Sequence, residues 1–145
     1  MALGRRKLLL VGGGVVCAHA IGCGGGNPPI ILDADIPVGK VASQVALNTL
    51  TPVPGKSVGI GRDSGGIYAM TLVCTHQNCD IGATGSVSFG GVFCSCHGSQ
   101  FDNQGTVKLG PATQPLSHLA VTADAAGALT IHGQELVSPT TRLSA

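Results

Sequence analysis

The sequence has no tryptophan, one tyrosine and three phenylalanines, and charged side chains make up only 10% of it. Stacking aromatics and a basic stripe are therefore both missing, which excludes the usual means of holding a nucleic acid. A formal net charge of +1 carries no field that would steer a charged partner. No stretch shows sustained helical periodicity, so no helix of any length is expected. Long apolar runs are scarce as well. The run Leu8 to Ile21 has fourteen residues, three of them glycine, short of the roughly 20 that a comfortable membrane span needs. What is plentiful is glycine, 23 of 145 residues, a composition that suits short strands joined by many turns. The length allows one domain with a short appendage.

Chemistry-bearing residues gather in one stretch, Cys74 to Phe101, which holds four of the six cysteines and two of the five histidines. Two short boxes lie within it, Cys74-Thr-His76-Gln-Asn-Cys79 and Cys94-Ser-Cys96-His97-Gly98-Ser99. On a regular strand Cys74 and His76 would share a face with parallel side chains roughly 6 to 7 Å apart, which does not converge on a metal. Both boxes are therefore expected to be loops. Two cysteines and two histidines also suit tetrahedral zinc, although zinc fingers pair like with like, whereas each box here mixes the two ligand types. Four cysteines could alternatively form two structural disulfides with three possible connectivities, which leaves both histidines unexplained. Beyond these boxes no catalytic constellation is evident, so a free-standing enzyme is not expected.

The pattern Cys-x-His, seventeen residues, Cys-x-x-His resembles the signature of Rieske proteins, which hold a two-iron, two-sulfur cluster through two cysteines and two histidines. The resemblance covers roughly Val58 to Gly133. It implies one [2Fe-2S] cluster per chain with Cys74, His76, Cys94 and His97 as ligands. In the high-potential branch of the family, the positions of Cys79 and Cys96 form a disulfide that ties the two ligand loops together. Ser99 matches a serine that donates a hydrogen bond to a bridging sulfide, and Gly98 a glycine that lets its loop approach the cluster. Gly110-Pro111-Ala112 with Pro115-Leu116 is similar to the proline-rich loop that covers a third side. Phe101 stands where such subunits carry a tyrosine that donates to a ligand sulfur, which implies a potential between the ferredoxin-type and the quinol-oxidising proteins. Charge explains the mixed ligation. Replacing two thiolates by neutral imidazoles brings the oxidised core from a double negative charge to zero, and raises the potential to between about −150 and roughly +300 mV from about −400 mV.

Residues 1–23 read as an export signal, with Arg5-Arg6-Lys7 ahead of the apolar run. The arginine pair resembles a twin-arginine signal, a route that exports folded proteins. Ala20-Ile21-Gly22-Cys23 resembles a bacterial lipobox, which implies a lipidated Cys23 and anchoring at the outer, periplasmic side of the membrane. Cys17 would be lost with the signal, and an uncleaved anchor is the alternative. Residues 24–39 then serve as a flexible tether and 40–145 as the domain.

Within the domain, Val41 to Thr49 alternates like a half-buried strand. Ser57 to Arg62 and Ile67 to Val73 flank a turn at Asp63-Ser64-Gly65-Gly66. Val87 to Phe93, broken at Gly90-Gly91, delivers the second box. Leu119 to Thr122 and Leu129 to His132 flank Asp124-Ala-Ala-Gly127 as a closing hairpin. His118 and His132 read as ordinary strand residues. The expectation is an all-β, Rieske-like domain of small antiparallel sheets with the cluster loops at its tip. The family resemblance implies one-electron transfer, from a quinol or a redox subunit to a cytochrome c-like acceptor. Its alternatives are the small subunit of a periplasmic molybdenum oxidase of the arsenite oxidase type, or a stand-alone redox lipoprotein. Gln77-Asn78 departs from the Leu-Gly usual in quinol-oxidising subunits. A ferredoxin or oxygenase domain would normally lack Cys79 and Cys96.

Overall fold

The computed structural model describes residues 30–145; the expected export signal, the lipobox with Cys23 and the first part of the tether lie outside the described residues. The order of elements is β1 (Asp35–Val41), a single 3-10 turn (Ala42–Gln44), β2 (Thr49–Pro52), β3 (Val58–Asp63), β4 (Gly66–Thr71), a one-turn helix α1 (Ile81–Thr84), β5 (Ser86–Ser88), β6 (Gly91–Phe93), β7 (Gln100–Phe101), β8 (Val107–Leu109), β9 (His118–Ala123) and β10 (Ala128–Val137). They form a six-stranded sheet in the order β1-β10-β9-β4-β3-β2 and a four-stranded sheet in the order β5-β6-β7-β8, with antiparallel pairing in both. The all-β expectation holds, and no helix of the described residues is long and apolar enough to cross a membrane.

Strand β4 is the wall that the rest is built on. Successive side chains of a strand point to opposite faces, and here both faces are covered, which is why Ile67 to Val73 reads as a nearly continuous apolar run. Ile67 and Ala69 enter the core of the large sheet beside Ile36, Ile60, Leu119 and Ile131. Tyr68, Met70, Leu72 and then Cys74 enter a second core with Val92, Cys94, Phe101 and Leu116. One run of chain thus supplies the large sheet and delivers the first box to the small one.

Two expectations are corrected. Val41 to Thr49 is not a strand. β1 ends at Val41, where the Gln44 side chain takes the Val41 N–H at 3.0 Å, and Asn48 adopts φ 58°, a left-handed conformation that a strand cannot hold. The tether of residues 24–39 also ends sooner than expected, because Asp35–Val41 pairs with β10, Ile36 facing Ile131. Ile36 and Val38 are buried, but Pro37 and Gly39 interrupt them and give the segment the look of a linker. Proline is admissible there because β1 is an edge strand.

The two hairpin turns are closed by their aspartates. Asp63 Oδ1 accepts the Gly65 N–H at 2.9 Å, and Asp124 Oδ1 accepts the N–H groups of Ala126 and Ala128, the side-chain turn that makes Asp favoured at such sites. His132 pairs through Nδ1 with Asp35 at 2.7 Å. His118, on β9, is only 2% exposed, and burial pushes its pKa below the usual 6.5 against the pull of the Gln104 carbonyl.

Candidate metal centre

Both boxes are turns, and they are the same turn. In the first, Cys74 N–H donates to Cys79 O at 2.8 Å and Asn78 N–H to Cys74 O at 2.9 Å. In the second, Cys94 N–H donates to Ser99 O at 2.9 Å and Gly98 N–H to Cys94 O at 3.0 Å. The fifth position of each turn is left-handed, φ 55° at Asn78 and 82° at Gly98. That conformation favours glycine, and asparagine is among the few other residues that tolerate it. The departure at Asn78 from the family glycine is thereby accommodated without a change of loop.

The turns bring the cysteines and histidines together. Cys79 and Cys96 form a disulfide across the two turns, with Cα atoms 6.5 Å apart. Cys74 and Cys94 are buried free thiols, which removes the reading of two disulfides. The His76 and His97 rings meet edge to face, centroids 4.8 Å apart and planes at 85°. His97 is exposed and His76 half-buried, yet the Nδ1 atom of His76 is fully buried with no hydrogen-bond partner. A buried nitrogen with no partner is costly, and a metal ligated there would satisfy it. Burial also pushes the Cys94 thiol up, the N–H groups of Cys96 and His97 acting in the opposite sense and the adjacent Cys74 thiol adding to the rise. A buried thiolate needs a cation beside it, and two thiolates with two imidazoles are the donor set of a Rieske cluster. The residues present fit the group.

A third wall is the segment from Gly110 to Leu116, pinned at both turns and behind. Thr75 Oγ1 donates to Gln114 O at 2.6 Å, Ala112 N–H donates to Ser99 Oγ at 2.9 Å, and Leu116 N–H donates to Gly105 O at 2.9 Å. Ser99 is fully buried, and because its oxygen accepts from Ala112 its own hydroxyl proton is left to donate. Other anchors are silent in the sequence. Ser57 Oγ donates to Asp80 Oδ2 at 2.7 Å, which holds the end of the first turn to the large sheet while Asp80 also caps α1. Ser95 Oγ reaches Thr84 O at 2.7 Å from the second turn. Only Asp80, an acidic residue before Ile81, bears a cap signal, and a helix of one turn is too short for periodicity to reveal.

Against families of known proteins, the model of the Rieske [2Fe-2S] domain matches residues 35–122. The chain belongs to the Rieske family. The cofactor of this Rieske domain is a [2Fe-2S] cluster, which decides against zinc. The iron-sulfur subunit of ubiquinol-cytochrome c reductase from Rhodobacter capsulatus is 43% identical over 56 residues, 39% of this chain and 29% of that subunit. The cytochrome b6-f complex iron-sulfur subunit of Synechococcus elongatus is 31% identical over 115 residues, 78% of this chain and 60% of that one. The Rieske chain described here thus matches less than two thirds of the length of these curated relatives. Among solved structures, a chain from the complex of reduced oxygenase and oxidized ferredoxin in carbazole 1,9a-dioxygenase has a TM-score of 0.50 at 22% identity, covering 72% of this chain and 98% of that one. This last likeness is one of fold.

The structure places Ser99 and Phe101 where tuning can be tested. Phe101 is buried in the same core as Cys74 and Cys94. A hydrogen bond worth about 1 kcal/mol that favours the reduced state shifts a one-electron midpoint by roughly 40 mV. Ser99→Ala is expected to lower the midpoint by tens of millivolts on that scale, and Phe101→Tyr to raise it by a similar amount. Protein-film voltammetry checks both, and an unmoved midpoint in both variants would refute the roles given to these positions.

Proposed function

We propose that this protein is an exported one-electron carrier that holds its [2Fe-2S] cluster through Cys74, His76, Cys94 and His97 and works between a quinol and a cytochrome c-like acceptor. The observation that carries the reading is the asymmetry of the two histidines. His76 is half-buried with a buried, unpartnered Nδ1, whereas His97 is exposed, so one imidazole is presented to a donor while both thiols stay out of water. When bound, the cluster supplies a one-electron couple whose potential is raised by the neutral imidazole ligands. Around it, the buried thiols, the Cys79–Cys96 bridge and the wall from Gly110 to Leu116 exclude water, and the turn N–H groups of Cys96 and His97 face the Cys94 sulfur. The relatives named above support a quinol-to-cytochrome role over the small subunit of a molybdenum oxidase.

The test uses the oxidised holoprotein mixed with membranes whose quinone pool has been reduced. One electron per chain is expected to be taken up and then passed to added c-type cytochrome. Failure to be reduced by quinol, with ready reduction by a chemical reductant of suitable potential, would overturn the donor assignment.

Export and anchoring rest on Arg5-Arg6-Lys7, the apolar run and Cys23. One acyl chain gives marginal membrane binding, while several chains hold firmly. Mass spectrometry of the mature protein is expected to find a lipidated Cys23 as its first residue. An intact Met1, or cleavage at another bond, would refute the lipoprotein reading.

A further inference from the structure

The C-terminal segment pairs with the start of β4 through one antiparallel bridge and, through Arg142, reaches the loop between β7 and β8. Ile67 and Leu143 exchange both backbone hydrogen bonds, at 2.9 and 2.8 Å, and Gly66 is so close that a Cβ there would stand 2.4 Å from the Leu143 carbonyl oxygen. This contact places Arg142 among three parts of the chain. Its Nε donates to both Asp63 carboxylate oxygens at 3.1 and 3.0 Å and its Nη2 to Oδ2 at 2.8 Å. Nη2 also donates to Gln104 Oε1 at 2.5 Å, and the guanidinium carbon lies 4.6 Å from the centre of the Tyr68 ring.

The loop between β7 and β8 is gripped at more than that point. Gln104 Nε2 donates to Asp63 Oδ2 at 3.3 Å, the Gln104 carbonyl accepts from His118 Nε2 at 2.9 Å, and the Tyr68 hydroxyl donates to Asn103 O at 2.8 Å. Asp63, Tyr68 and His118 belong to the large sheet and Arg142 to the C-terminal segment, whereas Asn103 and Gln104 belong to the metal-centre side. The loop is stiff within itself, since Asp102 Oδ1 accepts the N–H groups of both Gln104 and Thr106 at 2.9 Å. It is weakly held by sheet pairing, β7 having only two residues. A stiff loop with little pairing of its own takes its position from whatever grips its apex. It passes that position on, because Gly105 O accepts from Leu116 N–H, and Ala112, four residues earlier in the same wall, donates to Ser99 Oγ.

We propose that Arg142 is a positioning residue of the metal centre: with Asp63 it fixes Gln104, and through Gly105 it sets the place of the wall from Gly110 to Leu116 and of the Ser99 hydroxyl. The proposal rests on Cys74, His76, Cys94 and His97 being the cluster ligands. Arginine suits the task because its planar fork engages Asp63 and Gln104 at once, which a lysine ammonium does not reproduce.

The experiment compares wild type, Arg142→Ala, Arg142→Lys, Gln104→Ala and the Arg142→Ala/Gln104→Ala double variant as full-length holoproteins. Iron content, hydrogen–deuterium exchange and reduction potential are read on each. Arg142→Ala is expected to keep its iron, to speed exchange of residues 102–116 by about tenfold with β3 and β4 little changed, and to shift the potential. Gln104→Ala, which leaves the Arg142–Asp63 pair in place, is expected to do the same, so it decides the matter even if Arg142→Ala does not fold. The double variant should match either single variant, since residues acting through one link are not additive. Arg142→Lys should restore only part of the effect. Unchanged exchange and potential, a uniform rise in exchange over every strand, or additive shifts would each overturn the proposal. Exchange reports the clamp with or without iron, whereas iron content reports the ligands, so the two readings fail separately.

Discussion

Cys94→Ser is expected to yield a folded chain without iron, as are Cys74→Ser, His76→Ala and His97→Ala, where the wild type carries two irons and two acid-labile sulfides. If these four residues hold the cluster as proposed, each substitution would remove one donor from a site whose other donors cannot move to replace it. Cys74 and Cys94 are buried at the ends of chain runs fixed by backbone bonds, and the other two cysteines among the described residues are committed to each other. The fold is expected to survive because the core of the large sheet, from Ile36 to Ile131, contains none of the four residues. Loss of metal should therefore loosen the two turns and the small sheet while the circular dichroism of the strands persists. Elemental analysis with circular dichroism checks both parts. Full iron retention in any of the four variants would remove that residue from the ligand set, and zinc without iron in anaerobically prepared wild type would sink the cluster itself.

Joint replacement of Cys79 and Cys96 by alanine is expected to shorten the lifetime of the cluster severely while its initial assembly remains possible. The bridge spans 17 residues, and closing a loop of that order is worth about 3 kcal/mol in the chain-entropy model. The larger effect is local. Without the bridge, the first turn is still held to the large sheet through Asp80 and Ser57 and the second to α1 through Ser95 and Thr84. Nothing covalent then opposes their separation. Cys79 is buried and Cys96 exposed, so the bridge runs from the core to the surface, and opening it lets water reach the ligand sulfurs. Alanine avoids burying an unpaired hydroxyl at position 79. Bleaching of the cluster absorbance in air measures the lifetime, and an unchanged lifetime and potential would show that the bridge protects nothing.

The metal centre was legible in the sequence because its chemistry is local. Cys74 and His76, or Cys94 and His97, lie within one turn of chain, so their spacing already required each box to be a loop, while the choice of donors came from the family resemblance. Composition and pattern were enough for the fold class, since short runs bounded by glycine-rich turns such as Asp63-Ser-Gly-Gly66 and Asp124-Ala-Ala-Gly127 leave little choice but strands. Strand β1 was not legible. Pro37 and Gly39 hide the alternation of Ile36 with Val38, and its edge position, which makes proline tolerable, exists only once β10 lies beside it.

What the tertiary structure alone decided depends on contacts between residues far apart in the chain. By themselves the residues left open whether the four cysteines form two disulfides, in any of three connectivities; the structure joins Cys79 to Cys96, as the family resemblance implied, and leaves Cys74 and Cys94 as free thiols. The apolar run at β4 could not reveal that its odd and even positions serve different cores, because a strand buried on both faces loses the alternation that would separate them. Arg142 stands 79 residues from Asp63 and 38 from Gln104, and a contact at such a distance leaves no periodic trace. Side-chain spacing reports the geometry of a turn or a strand, whose dimensions are set by the backbone, whereas a clamp between segments is set by where the sheets place their ends.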